Sequence, residues 1–440
     1  MFGWEVFGSS MIDRTLEFPS DFVWGSATAA HQVEGDNRHN DWWAHELAPD
    51  TNAIEPSGIA CDHYHRFADD FRLMQSLGHR AYRLSIEWSR IEPAEGEIND
   101  AEIDHYRAVL STLRDLGIEP WVTLHHFTLP LWFARRGGFS RSENLGAFRR
   151  FVELVASHYG DLVSHWCTIN EPTVHAEMGY RFAYFPPRLH DEALAARTLC
   201  NLFHAHAQAA EALREKAKRP PYIGITLAVP AHEPYRAESE ADRAFAARRD
   251  AESNGACFEA LRTGVFRYPD RPDEAIPGLE QSSEFVGVQY YSRFRYDGAT
   301  RGPAPADPAR QLSQMGWEVY PEGLPPLLRR AAATGLPVYV TENGMCCDDD
   351  RERIEFIADH LAALDQARRE GADIRGYFYW SAMDNFEWNF GYGPKFGLIE
   401  VDRQTLDRRP RPSANFFAEI ARSGRVTPEL VRSWITDRRS

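Results

Sequence analysis

The sequence predicts an α/β fold, a single (β/α)₈ TIM barrel formed by residues 1–440. Eight short apolar runs recur along the chain, and segments with helical periodicity alternate with them. This alternation is typical of a parallel sheet whose faces are covered by helices. No linker-like segment divides the 440 residues, so the pattern favours one closed barrel over two doubly wound domains.

The predicted strands share an apolar composition and a short length. They are expected at 22–30, 81–86, 118–125, 162–167, 222–229, 285–291, 337–341 and 374–380. The predicted helices share apolar residues spaced three or four apart, and several end at a glycine. They are expected at 62–77, 102–116, 144–159, 191–217, 240–263, 321–334, 351–370 and 414–422.

The chain is acidic, with 49 Lys and Arg against 65 Asp and Glu and a formal net charge of −16. This charge argues against a nucleic-acid partner, whose phosphates need a basic face, and against adhesion to anionic lipid. No apolar run approaches the length that crosses a bilayer, so membrane insertion is not expected.

The N-terminus and the cysteines bear on location. Residues 1–16 lack the basic start and the unbroken apolar core of a signal peptide, and we interpret them as an N-terminal extension. Six scattered cysteines form no CxxC pair and no zinc spacing, so reduced thiols are expected, with Cys346-Cys347 in a loop. The predicted location is the cytoplasm, and the oligomeric state is left open.

Two predicted strands lead into a glutamate that lies beside an asparagine. In Thr168-Ile169-Asn170-Glu171-Pro172, Pro172 ends the strand because it has no N–H group for the sheet. In Thr341-Glu342-Asn343-Gly344, a glycine turn follows the second glutamate. A carboxyl group at a buried strand end has a raised pKa, which suits a catalytic acid. The two glutamates therefore suggest a paired-carboxylate mechanism.

Polar and aromatic residues lie at the ends of most of the predicted strands. The active site of such a barrel lies at the carboxyl ends of its strands. These residues include Gln32, Glu87, Trp88, His125, His126, Asn170, Tyr291, Asn343 and Trp380. Sugar hydroxyls bond to carboxylates and amides, and the C–H face of a sugar ring stacks on Trp. The chemistry indicated is glycoside hydrolysis, in which one carboxyl group protonates the leaving oxygen while another attacks or activates water.

Metal chemistry is the competing interpretation, because Glu and His are also metal ligands. No HExxH-type or close His/Asp spacing occurs among these strand ends, and the sequence contains no Gly-rich phosphate cradle. No metal and no cofactor are therefore predicted.

Five motifs carry a resemblance to a known family. They are Phe22-Val23-Trp24-Gly25 with Gln32-Val33-Glu34-Gly35; Tyr82-Arg83-Leu84-Ser85-Ile86-Glu87-Trp88-Ser89-Arg90; Thr168-Ile169-Asn170-Glu171-Pro172; Thr341-Glu342-Asn343-Gly344; and Trp380-Ser381-Ala382-Met383-Asp384-Asn385-Phe386-Glu387-Trp388. The chain resembles glycoside hydrolase family 1, the retaining β-glucosidases and their relatives, over essentially its whole length. Any one motif could occur by chance, but the five together and in this order are highly specific.

The resemblance implies roles for the residues of these motifs. Glu171 would be the general acid/base and Glu342 the nucleophile, with their carboxyl groups about 5 Å apart as in retaining enzymes. Asn170 would hold the 2-hydroxyl of the sugar, while Arg83 and Tyr291 would bond to Glu342 and keep it ionised. The residues implied to bind the glycone are Gln32, His126, Glu387 and Trp388, with Trp380 as the platform under the ring and Trp317 on the aglycone side.

The sequence departs from the family pattern at two places. Gln289 stands where the family usually has Asn, and its extra methylene is expected to affect the geometry between Tyr291 and Glu342 or the aglycone side. Phe127 replaces the usual Trp, so an indole donor to the sugar is lost and strict glucose preference is in doubt. The intact Glu387-Trp388 pair argues against a phosphoglycosidase. The short chain predicts trimmed loops and a more open aglycone site.

The expected function is a retaining exo-β-glycosidase, a β-glucosidase with tolerance for galactose or fucose, whose partner is a small-molecule β-glycoside. Two alternatives remain. One is a transglycosidase that passes the glycosyl group to an alcohol or lipid. The other is an inactive sugar-binding protein, which the presence of both Glu171 and Glu342 disfavours.

Overall fold

The structure, a computed structural model, describes residues 12–436 and contains a closed barrel of eight parallel strands. The strands are β1 (Val23–Ala27), β2 (Ala81–Ser85), β3 (Glu119–His125), β4 (His165–Asn170), β5 (Tyr222–Ala228), β6 (Phe285–Gln289), β7 (Val338–Asn343) and β8 (Ile374–Trp380). They follow one another around the barrel in chain order, and β8 closes onto β1. The predicted fold class is confirmed.

Helices surround the barrel and connect its strands. The longer ones are His63–Ser76, Asp100–Asp115, Leu145–Tyr159, Glu192–Lys216, Glu240–Asp250, Ala256–Thr263, Leu324–Ala332, Asp350–Arg369, Pro412–Ser423 and Pro428–Thr436. Short helices at the strand ends are Ala30–Val33, Asp41–Glu46, Trp88–Ile91, Leu131–Arg135 and Pro172–Ala176. No helix among residues 12–436 combines the length and apolar character needed to cross a membrane.

One predicted helix, 240–263, is interrupted. A π-helical segment, Ala251–Gly255, separates Glu240–Asp250 from Ala256–Thr263. The Ser253 hydroxyl is hydrogen-bonded to Nε2 of His232, with 2.8 Å between the two atoms. The Asn254 amide donates to the carbonyl oxygen of Pro230. These polar side chains hold the wider turn against the loop after β5, which helical periodicity alone does not reveal.

The barrel interior is filled by side chains that alternate with those facing the helices. Ala81, Trp121, Cys167, Phe285, Tyr339 and Phe378 form one buried cluster drawn from six strands. Trp166, the neighbour of Cys167, packs instead into the larger core beneath the helices. This alternation is the layered packing of a (β/α)₈ barrel, which leaves the carboxyl ends of the strands open as a rim.

Smaller strand pairs lie outside the barrel. Leu16–Glu17 pairs with Arg425–Val426, and Leu16 is buried in the core. Within the predicted extension, residues 12–16 therefore belong to the fold, whereas residues 1–11 lie outside the described residues. The remaining strands outside the barrel are Ala231–Pro234, Val265–Phe266, Glu274–Ala275, Arg293–Asp297, Gly302–Pro303, Ile399–Val401 and Arg408–Pro410.

Candidate active site

The carboxyl ends of the barrel strands open into a cavity of about 400 Å³. Glu171 follows β4, Glu342 lies near the end of β7, and both line this cavity. The carboxyl ends of parallel strands share one rim, so two residues far apart in sequence meet there. The cavity is therefore the candidate active site.

The Glu342 carboxylate is held at both oxygens. Its Oε1 accepts hydrogen bonds from the Arg83 guanidinium and, at 2.8 Å, from Nε2 of Gln289. Its Oε2 accepts a hydrogen bond from the Tyr291 hydroxyl at 2.6 Å. Burial raises the pKa of Glu342, while Arg83 and Tyr291 oppose that shift. The carboxylate is thus fixed in orientation and partly compensated for its burial.

Gln289, the departure from the family pattern, bonds directly to two candidate catalytic residues. Its Nε2 lies 2.8 Å from Oε1 of Glu342 and 2.9 Å from Oδ1 of Asn170. The hydrogen bond from Tyr291 to Glu342 is made as well. Gln289 is therefore a donor to Glu342 in addition to Tyr291.

Glu171 has a different environment. Its φ of 45° lies in the left-handed region, which costs a residue with a side chain about 1–2 kcal/mol, and such strain is common at functional sites. Burial, followed by the charge of Glu342, raises the pKa of Glu171 well above its usual value, with Arg83 opposing. No hydrogen bond from another described side chain reaches its carboxyl group. Of the two glutamates, Glu171 therefore has the environment that favours the protonated carboxyl group more strongly.

The side-chain amide of Asn170 is oriented by its neighbours. Its Oδ1 accepts hydrogen bonds from Arg83 at 2.5 Å and from Thr226 at 3.1 Å. Its Nδ2 lies 3.3 Å from Nε2 of His126. The amide nitrogen is therefore the group directed away from the arginine, towards the histidine. Our sequence reasoning missed Thr226, which pairs with Asn170 in the sheet register.

One end of the cavity, here called the inner end, is lined by His126, Trp380, Glu387 and Trp388, and Gln32 lies behind them. The Gln32 amide donates to the carbonyl oxygen of Phe386 at 2.8 Å and reaches Glu387 at 3.4 Å. The His126 ring is nearly parallel to Trp380 and Trp388, at 5.9 and 6.2 Å between centroids. Aromatic faces and polar atoms thus lie together at this end of the cavity, a combination that suits a sugar ring.

Several buried polar atoms in or just behind the cavity lining have no protein partner. Nδ1 of His126 and Oε1 of Gln289 belong to lining residues, and Oε1 of Gln32 lies behind the lining. A buried polar atom without a partner costs free energy, so such atoms at a cavity indicate a ligand that supplies the missing hydrogen bonds. Burial, followed by the charge of Glu342, raises the pKa of Glu387 to about 8, with Gln32 opposing. Burial and Arg83 lower the pKa of His126 well below its usual value.

The other predicted aromatic residues lie nearer the opening. Trp317 contacts Tyr291, with 5.5 Å between ring centroids, and lines the cavity with Met315. Phe127 packs against Trp42 and Trp388, so no indole donor occupies its position. Cys346, predicted to lie in a loop of no assigned role, is buried beside Trp380.

The predicted site residues come together in this structure. Those that line the cavity are His126, Glu171, Tyr291, Trp317, Glu342, Trp380, Glu387 and Trp388. Arg83, Asn170 and Gln32 lie behind them and bond to Glu342, Gln289 and Glu387. Elsewhere, Cys200, His204 and Glu274 bring possible metal-ligand atoms within 4.8 Å of one another, but none of them lines the cavity.

A sequence model of the family described as Glycosyl hydrolase family 1 matches residues 14–425. The chain belongs to glycosyl hydrolase family 1. As a family 1 member it is a glycoside hydrolase, and the rim of its barrel carries the two glutamates that such chemistry needs.

Curated family 1 relatives cover nearly the whole chain. Beta-glucosidase A of Thermotoga maritima is 31% identical over 438 residues, which are 92% of this chain and 98% of that protein. A bifunctional beta-D-glucosidase/beta-D-fucosidase of Bifidobacterium breve is 32% identical, covering 92% of this chain and 98% of the relative. Among solved structures, a beta-glycosidase from Pyrococcus horikoshii is 42% identical with a TM-score of 0.89, over 96% of this chain and 98% of that one.

Proposed function

We propose that this family 1 member is a retaining exo-β-glycosidase that hydrolyses terminal β-D-glucosides through a covalent glycosyl-enzyme. The observation that carries the proposal is the difference between the two glutamates. Glu342 has donors on both carboxylate oxygens, whereas Glu171 lacks side-chain donors and has a strongly raised pKa. One group is suited to attack and the other to protonate.

In the first step, a carboxylate oxygen of Glu342 attacks the anomeric carbon while Glu171 gives its proton to the leaving oxygen. The glycosidic C–O bond breaks, the alcohol leaves, and Glu342 carries the sugar as an ester. Arg83 and Tyr291 aim Glu342, and the Asn170 amide binds the 2-hydroxyl, a contact that strengthens in the transition state.

In the second step, Glu171 removes a proton from water, whose oxygen attacks the anomeric carbon and releases Glu342. The charge of Glu342 contributes to the raised pKa of Glu171, and that charge is absent from the ester. The pKa of Glu171 therefore falls between the two steps, and one residue serves as acid and then as base.

The inner end of the cavity supports cleavage at a terminal sugar. Gln32, His126 and Glu387 offer hydrogen-bonding atoms to glycone hydroxyls, while Trp380 provides a face for the ring. The names of the relatives support glucose as the glycone and fucose as a second one. A cytoplasmic location and a single catalytic domain remain predictions from the sequence.

The test is hydrolysis of p-nitrophenyl β-D-glucoside, galactoside and fucoside by the wild type and by Glu342→Ala, with and without azide. We expect glucoside turnover by the wild type and a loss on the order of 10⁴-fold in the variant, because the covalent step is removed. Azide should restore turnover and give an α-glycosyl azide. A folded wild type that cleaves none of the three substrates, or a variant that keeps its activity, would contradict the proposal.

A further inference from the structure

Three side chains with metal-binding atoms meet outside the cavity, on the helix Glu192–Lys216 and the strand Glu274–Ala275. The sulfur of Cys200, a ring nitrogen of His204 and a carboxylate oxygen of Glu274 all lie within 4.8 Å of one another. Nε2 of His204 and Oε1 of Glu274 are 3.0 Å apart. No other group of this kind occurs among residues 12–436. Three different types of metal ligand thus converge at one place.

The backbone explains why the three side chains meet. Cys200 and His204 are four residues apart in the helix, so they lie one turn apart on the same face. Glu274 stands opposite Phe266 in an antiparallel strand pair, and the ring of Phe266 lies 6.0 Å from that of Phe203 in the helix. The strand pair is therefore anchored beside the two helical residues. Glu274 is 70 residues from His204 in sequence, so only the tertiary structure reveals the group.

The three groups suit Zn²⁺ in type and spacing. Zinc binds cysteine sulfur at about 2.3 Å and histidine nitrogen or carboxylate oxygen at about 2.0–2.2 Å, so the ligand atoms of a tetrahedral site lie about 3.3–3.8 Å apart. The pair formed by His204 and Glu274 is near this spacing, and side-chain rotation of about 1 Å closes the rest. Sulfur and nitrogen ligands argue against Ca²⁺ and Mg²⁺, which take oxygen ligands.

Burial and a hydrogen bond prepare the group for an ion. Cys200 is 2% exposed, whereas the side chains of His204 and Glu274 are 23% and 34% exposed. The sulfur therefore lies on the inner side, and solvent reaches the outer side. Oε2 of Glu274 accepts a hydrogen bond from Arg197 at 2.7 Å, which leaves Oε1 facing His204. Carboxylates that bind metals commonly have such a partner, which fixes their orientation.

We propose that Cys200, His204 and Glu274 bind one Zn²⁺ ion, with a water molecule as the fourth ligand. On binding, the thiol of Cys200 gives its proton to solvent, and Nε2 of His204 exchanges its hydrogen bond to Glu274 for the metal. The thiolate and the carboxylate together balance the charge of the ion. None of the three residues lines the cavity, so the ion joins the helix to the strand pair and takes no part in hydrolysis.

The test is Co²⁺ binding to the purified full-length protein, stripped of metal by a chelator and kept reduced by a phosphine. Cobalt thiolates absorb light and zinc thiolates do not, so Co²⁺ reports a cysteine ligand directly. We expect one Co²⁺ per chain, a thiolate-to-cobalt absorption band and an apparent Kd below roughly 10 μM. Zn²⁺ should remove the band by displacing the cobalt. A protein that binds no Co²⁺, or binds it without the thiolate band, would overturn the inference.

Variants locate the ion. Cys200→Ser should abolish the band, and His204→Gln and Glu274→Gln should each weaken Co²⁺ binding at least about tenfold. Cys257→Ser is the matched control, because Cys257 is also a helical cysteine, is also 2% exposed and does not belong to the group. If Cys200→Ser does not fold, the partly exposed Glu274 still provides the test. A band that survives in Cys200→Ser, or an affinity unchanged in Glu274→Gln, would overturn the assignment.

Thermal unfolding and activity separate this site from the active site. Zn²⁺ at about a hundred times its Kd should raise the Tm of the wild type by about 3 °C, because the ion binds the folded chain. The Tm of Glu274→Gln should not move. Turnover of p-nitrophenyl β-D-glucoside should be the same with Zn²⁺ and with the chelator. An equal rise in Tm in Glu274→Gln would contradict the site, and activity lost with the chelator would contradict its independence from hydrolysis.

Discussion

The inner end of the cavity and its mouth, the part lined by His232, Arg249 and Phe294, differ in whether their polar side chains have hydrogen-bond partners within the protein. At the inner end, Gln32, His126 and Gln289 each keep a buried polar atom without a protein partner. At the mouth, His232 is hydrogen-bonded to the hydroxyls of Tyr296 and Ser253, and Arg249 donates to Glu177. Specificity for hydroxyls therefore comes from polar atoms that the protein leaves without partners, and not from the number of polar residues near a cavity.

The unused polar groups have a cost in the unliganded protein. The carboxyl group of Glu387 has a pKa raised from 4.5 to about 8, mainly by burial. Substrate hydroxyls that bond to such a group recover part of that cost, which is how a destabilised site gains affinity. Near the opening, the side chains of His232 and Arg249 are paired within the protein and have no comparable cost to recover.

Among the variants that test this comparison, the largest effect is expected for Glu387→Gln. It should lower kcat/KM for β-glucosides roughly a hundredfold, because a carboxyl group that bonds to glycone hydroxyls is replaced by an amide. The variant should also be more stable at high pH. The raised pKa of Glu387 means that the folded state holds a proton that the unfolded state releases, so wild-type stability falls as pH rises from 4.5 to about 8.

The measurement for this variant is urea unfolding at pH 5 and pH 8 beside glucoside kinetics. We expect Glu387→Gln to exceed the wild type in free energy of unfolding by roughly 2–4 kcal/mol at pH 8, and by much less at pH 5. An equal difference at both pH values would contradict the role given to Glu387.

A smaller effect is expected for Gln289→Asn, at the inner end of the cavity. The shorter side chain should lose its contact with Glu342 and lower kcat roughly tenfold, because a donor to the nucleophile is removed. The acid limb of the kcat/KM profile should move to higher pH, since the loss of a donor raises the pKa of Glu342. A lower kcat with an unmoved acid limb would indicate a purely structural role for Gln289.

The smallest effect is expected at the mouth, for Ser253→Ala. Its hydroxyl is engaged by His232 at 2.8 Å, so its removal should change kcat/KM for cellobiose less than about threefold. Cellobiose kinetics with the wild type as reference provide the check. A loss of tenfold or more would show that the mouth also binds sugar hydroxyls, which would contradict the difference drawn between the two regions.

Much of the fold could be predicted from the sequence, because each barrel strand is a local apolar run. The runs at 81–86 and 374–380 correspond to Ala81–Ser85 and Ile374–Trp380 in the structure. Helix ends were predicted within a few residues, except where Ala251–Gly255 forms a π-helical turn. That turn depends on contacts with His232 and Pro230, which lie outside the helix and leave no local periodic signal.

The sequence by itself determined which residues stand at the rim. Glu171 follows one apolar strand and Glu342 lies near the end of another, and parallel strands in one barrel bring their carboxyl ends together. Their identities and their place in the fold follow from strand positions alone, and the family motifs add the expected roles.

Only the tertiary structure decided how these residues are bonded and what surrounds them. The contacts of Thr226 and Gln289 depend on sheet register. The ring contacts from Phe185 through Tyr184 to Phe390 join segments about 200 residues apart in the chain. Sequence periodicity assigns a side chain to a face, but its partners depend on strand register and loop packing. Such nonlocal contacts leave polar atoms of His126 and Gln289 without partners at the inner end, and they give His232 and Arg249 partners at the mouth.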